Sequence, residues 1–162
     1  MQKNLRILFL TIAFAILSVA LSAQTGKSSQ IKNGVKLKTD GLTVSKAYLA
    51  DEDRNELKEN QTALNKPIFL HLEIAGWNTN NEKVVLGASE KITTDNGSLV
   101  LYEDDLFPGK EEYKAEDAKY ISLKAIITSI TGDIKSFNIN FRVWDKSNGN
   151  NITGSYTFKI KK

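Results

Sequence analysis

The chain of 162 residues has no cysteine, one histidine, two prolines and ten glycines. Without cysteine there is no thiolate nucleophile, no cysteine-ligated zinc or iron–sulfur cluster and no disulfide framework. With His71 as the lone histidine, a histidine-rich metal site is excluded, and any Ser-His-Asp triad must use His71 as its base. No serine stands in a Gly-x-Ser-x-Gly elbow, and the glycines form neither a phosphate loop nor a dinucleotide fingerprint. An amphipathic helical stretch of ordinary length is missing as well. What is present, 41% hydrophobic and 25% charged residues, is the make-up of one globular domain.

The first stretch stands apart from that domain. Residues 1–23 combine Lys3 and Arg6, an apolar run from Ile7 to Leu17, and small residues around Ala20, Ser22 and Ala23. This is the layout of a secretory signal peptide, and the run is short of the roughly 20 apolar residues that a permanent span needs. Its removal takes the formal charge from +3 to +1, because Lys3 and Arg6 leave with it. Little net field then remains to recruit nucleic acid, and membrane contact is not expected after cleavage. The expected location is periplasmic or extracellular, with residues 24–33 a polar flexible leader and residues 34–162 a single domain.

Within that domain, period-two alternation recurs. Ile68, Leu70, Leu72 and Ile74 share one face opposite Phe69, His71 and Glu73. Ile121, Leu123, Ala125 and Ile127, then Phe137, Ile139, Phe141 and Val143, alternate with polar residues on either side of Thr131-Gly132-Asp133, which predicts a long hairpin. Asp40-Gly41 predicts a hairpin or a bend in an edge strand, and Tyr156, Phe158 and Ile160 predict a closing edge strand guarded by lysines. About seven to nine short strands with turns between them indicate an all-β, antiparallel β-sandwich of immunoglobulin-like type.

Two polar segments interrupt the strands. Residues 51–65 read as a long surface loop with one helical turn, and residues 103–117 as a second, acidic connection. Carboxylates from several loops at one end of a sandwich suit Ca²⁺, which prefers oxygen ligands; the candidates are Asp51, Asp53, Asp104, Asp105 and Asp145. Val143-Trp144-Asp145, followed by Ile152 and Gly154, resembles the last calcium loop of C2 domains, which implies Asp145 as a ligand. The second aspartate of that pattern is Ser147 here, and the loop is shorter. Glu116-Asp117-Ala118-Lys119-Tyr120 resembles the tyrosine corner of immunoglobulin-type domains, which implies a structural hydrogen bond from Tyr120 to the backbone.

The expected function is an exported, non-catalytic binding or adhesion module without a cofactor. It would recognise a protein or glycan through loops 51–65 and 103–117 or through a sheet edge that pairs with an extended peptide. Aromatic side chains supply contact area at low entropic cost, so Trp77, Phe107, Tyr113 and Trp144 are the candidate contacts, with Tyr102 beside them. One alternative is a calcium-dependent surface- or membrane-binding sandwich using the five aspartates. The other is a hydrolase with two carboxylates about 5–10 Å apart across a cleft.

Overall fold

The computed structural model describes residues 29–161; residues 1–23, read as a signal peptide, and residues 24–28 of the expected leader lie outside the described residues. Strands β1 (Gln30–Ile31), β3 (Thr43–Ala50), β5 (Pro67–Ala75) and β10 (Tyr120–Ile126) form sheet A, in the order β1-β3-β5-β10. Strands β2 (Lys36–Asp40), β12 (Asn151–Ile160), β11 (Phe137–Asp145), β7 (Leu86–Thr94) and β8 (Leu99–Glu103) form sheet B in that order, and β4 (Gln61–Thr62) joins the end of β12. A two-stranded ribbon of β6 (Lys83–Val84) and β9 (Tyr113–Lys114) and the single turn α1 (Ala115–Ala118) complete the chain.

This is an antiparallel β-sandwich. The order β3-β5-β10 against β12-β11-β7-β8 is the immunoglobulin-like arrangement, in which the chain repeatedly leaves one sheet for the other. The alternating apolar residues meet between the sheets: Leu70, Leu72 and Leu123 from sheet A pack with Ile92, Ile139 and Phe158 from sheet B, all at most 2% exposed.

Three expectations change and a fourth is narrowed. The predicted hairpin of residues 121–143 does not form: β10 pairs with β5 in sheet A, and β11 with β7 and β12 in sheet B. Of the two forms expected at Asp40-Gly41 the bend is found: Gly41, at φ +77°, carries the chain from edge strand β2 of sheet B into sheet A. The C-terminal strand β12 is interior, flanked by β2 and β11, so the edges of sheet B are β2 and β8. The domain also starts earlier than residue 34. Gln30 and Ile31 pair in parallel with Lys46 and Ala47, and the Asn33 amide bridges the Leu49 N–H (2.9 Å) and the Leu57 carbonyl (2.8 Å).

Candidate ligand-binding face

The loops expected to carry the site are laced to the body of the protein. In residues 51–65 no helical turn forms; the Asp51 carboxylate accepts from the Asp53 and Asn55 N–H groups at 3.0 and 2.9 Å. Segment 103–117 leaves the end of β8, runs irregularly through residues 104–112 and closes in β9 and the start of α1. Lys146 holds it down, donating to the Phe107 and Gly109 carbonyls at 2.5 and 2.9 Å and pairing with Asp105 at 2.6 Å. Burial works against the ionised Asp105, yet Lys146 and the Phe107 and Ala88 N–H groups hold its carboxyl below the usual carboxylate range.

The candidate aromatic contacts have structural partners. Phe107 and Tyr113 meet edge to face at 5.7 Å and pack half-buried on the core, so Phe107 is not an exposed tip. Trp77 also packs on the core, its indole N–H donating to the Ala118 carbonyl at 3.0 Å. Tyr120 opens β10 with 62% exposure and the Lys119 ammonium 5.0 Å from its ring centre, a solvent-facing position that is no tyrosine corner. Trp144 alone of the four stands on an outer sheet face.

The five aspartates do not converge. Asp51 and Asp53 follow β3 beside the start of β5, whereas Asp145 binds Asn78 beyond the end of β5. The nine residues of β5 put those ends roughly 30 Å apart. Asp145 is fully buried and already satisfied: it accepts the Asn78 and Ser147 N–H groups, each at 2.8 Å, and the Ser147 hydroxyl. Among the described residues no group of three or more acidic or histidine side chains is placed to hold a metal ion. The C2-like loop is therefore a structural clasp between the connections after β5 and β11.

On the outer face of sheet A, His71 and its cross-strand neighbour Ser122 interact, Nδ1 to Oγ at 2.6 Å. Tyr48 and Phe69 flank the imidazole at 5.1 and 6.1 Å. Burial, then the charges of Arg54 and Lys46, lower the His71 pKa. Nε2 is buried without a partner, so no carboxylate orients the ring as a triad requires.

Sheet B carries a different surface. Its strand registers place Lys36, Ser155, Asn140, Lys91 and Tyr102 in one row across five strands, and Lys38, Thr153, Arg142 and Ser89 in the next. These residues line a shallow groove of about 530 Å³ with four cations and no carboxylate. Lys36, Lys38, Lys91 and Arg142 are all exposed, and none forms an ion pair among the described residues. The adjacent Trp144 lies over Gly87, where a Cβ would overlap the indole, and the Arg142 guanidinium stands 5.1 Å from its ring centre. Trp144 thus positions Arg142, while Tyr102, 60% exposed, offers an open ring at the edge.

Beneath this face lies a group that alternation analysis passed over. Glu90 occupies an inward position of β7, in register with Leu86, Ala88 and Ile92, and is 1% exposed. Burial pushes its carboxyl up to about 7. Burial, with the neighbouring Glu90 charge, also raises the Tyr156 phenol, and neither Glu90 Oε1 nor the Tyr156 hydroxyl has a hydrogen-bond partner among the described residues. The period-two count from Leu86 to Ile92 was available to mark Glu90 as buried.

Fold and face together define a β-sandwich with a polar, cation-bearing sheet surface. No family model matches the chain, and no curated protein matches it in sequence. Among solved structures, the C-terminal domain of wzt is similar over 83% of this chain and 82% of that one, with a TM-score of 0.51 and 6% identity, which supports the sandwich fold. A superoxide reductase (neelaredoxin) from Ignicoccus hospitalis aligns over 76% of this chain and 82% of that one, with a TM-score of 0.39 and 8% identity. The β-glucuronidase of Bacteroides uniformis aligns over 74% of this chain but 13% of its own, with a TM-score of 0.39 and 11% identity. At 0.39 neither of these two adds to the argument.

Proposed function

We propose that this protein is an exported, non-catalytic glycan-binding domain whose ligand lies across the outer face of sheet B. The observation that carries the reading is the groove itself. Hydroxyl, amide and cationic side chains line it from five strands, and it opens beside the exposed ring of Tyr102. A saccharide presents hydroxyls that need donors and acceptors and a C–H face that lies well on an aromatic ring. Between Tyr102 and the cations stand Asn140, Ser89, Thr153 and Ser155, with Leu37 and Phe141 beside Gly154 supplying apolar lining that suits the C–H face of a sugar. Export is supported by the composition of residues 1–23.

Affinity gel electrophoresis against soluble polysaccharides tests the proposal. Retardation is expected from at least one, and Tyr102→Ala and Asn140→Ala should weaken it. Retardation by none, or retardation unchanged in both variants, sinks it.

A second reading rests on β8. This edge strand is exposed along all five residues, with Leu99 at 62%, and an extended peptide could add to it. Replacing Val100 by Pro removes a backbone donor from this strand, and should weaken such pairing while leaving glycan retardation intact.

A further inference from the structure

Taking the sheet B groove as the ligand face, we infer that its ligand is an acidic polysaccharide, an extended saccharide chain that carries repeated anionic groups. The inference rests on the glycan reading and adds the charge and the polymeric character of the ligand.

Carboxylates are plentiful in this protein, and outside the groove six lysines meet one. Lys32, Lys66, Lys83, Lys114, Lys119 and Lys146 each lie within 3.5 Å of a carboxylate oxygen. The groove gathers four cations on one face with neither a carboxylate in its lining nor an ion-pair partner among the described residues. Four like charges on one face repel one another, and a bound polyanion relieves that repulsion.

Their spacing argues for a polymer over a single small anion. Lys36 and Lys38 are two residues apart on β2, roughly 7 Å. Arg142 lies two strands from Lys38 and Lys91 three strands from Lys36, roughly 10 and 14 Å at the usual strand separation. These are spacings of backbone positions, so a single phosphate would have to draw several long side chains to one point against their mutual repulsion. A chain laid across the strands can meet them in turn. The hydroxyl and amide side chains between the cations then have sugar hydroxyls to pair with, which bare charge would not require. Arg142, held beside Trp144, supplies a fork suited to a planar carboxylate or to a sulfate ester. Those two groups are the two forms that the shared anionic chemistry can take.

The experiment compares retardation of the protein in gels containing polygalacturonate, dextran sulfate or neutral dextran, with duplex DNA as a competitor. Retardation by polygalacturonate identifies carboxylate as the anion, and retardation by dextran sulfate identifies sulfate; either supports the inference. Binding should weaken as salt rises from about 20 to 300 mM, because exposed charges are screened over that range. The variant Lys36→Gln/Lys91→Gln should lose roughly tenfold in affinity, an exposed pair being worth up to about fivefold. Lys124→Gln/Lys135→Gln, which removes the same charge away from the groove, should lose less than twofold. All four positions are exposed or half-buried, so melting temperatures should match the parent and separate lost binding from lost folding.

If dextran binds as well as the charged polymers and Lys36→Gln/Lys91→Gln changes nothing, the acidic ligand is refuted while the glycan face stands. If no polysaccharide binds, both fall. If DNA competes equally and Tyr102→Ala has no effect, charge alone accounts for binding and the saccharide assignment is overturned.

Discussion

Glu90 makes the stability of this domain depend on pH in a direction unusual for a carboxylate. Its carboxyl lies in the core with one oxygen unpartnered, and burial lifts its pKa from 4.5 to about 7. The native state therefore holds this proton more tightly than the unfolded chain does. Between those two values the native state binds more protons, so stability is greatest below about pH 4.5 and falls as pH rises through about 7. At about 1.4 kcal/mol per pH unit, the full loss approaches about 3 kcal/mol. For a domain of this size that corresponds to a melting temperature roughly 10 °C lower at pH 8 than the same group would permit at pH 4.5. His71 works in the opposite sense: its lowered pKa gives stability that is present above 6.5 and lost as pH falls through the folded value. Comparing the parent with Glu90→Gln at each pH cancels that background. Thermal melts from pH 5 to 8 should show the two proteins nearly alike at the acid end and Glu90→Gln more stable at the alkaline end. Parallel curves across the whole range would refute the reasoning, because the carboxyl would then have to be ionised and compensated in the core.

Three further perturbations test the clasps around the sheets. Asp145→Ala leaves the Asn78 and Ser147 N–H groups without their acceptor and should cost about 2–4 kcal/mol, read as an equal drop in melting temperature with EDTA and with calcium. A drop seen only when calcium is present would restore the ion-site reading. Lys146→Met removes the donor to Phe107 and Gly109 and the partner of Asp105, so amide exchange should quicken across residues 105–114 and stay unchanged in β11. Gly154→Ala places a Cβ 2.5 Å from the Lys36 carbonyl and against the Phe141 ring; overpacking should cost about 1–3 kcal/mol in urea unfolding and loosen β2 from β12.

The sandwich class was legible because burial on one face writes itself into every second residue. Ile68 to Ile74 and Phe137 to Val143 show it plainly, and both runs are buried strands facing the core. Trp144 was legible as outward-facing for the same reason, being out of phase with Val143. Strand partners were not legible. Residues 121–127 and 137–143 read as two arms of one hairpin, yet they lie in opposite sheets, because alternation records which side of a strand is dry and not which strand lies beside it.

The same limit governed the candidate site. Composition found the aspartates and aromatic residues, but Asp145 became a buried clasp, Phe107 a packing contact, and Asp51 part of the far end of the molecule. Lys36, Lys91, Asn140 and Arg142 come from three separate strands and drew no attention along the chain, since each is an ordinary polar residue in its own segment, and Tyr102 stood out only as an aromatic side chain. Sequence by itself determined which residues are buried and which face water, through the two-residue period of an extended chain. Only tertiary structure decided which outward residues share a surface, because strand order across a sheet depends on long-range pairing that local alternation does not encode.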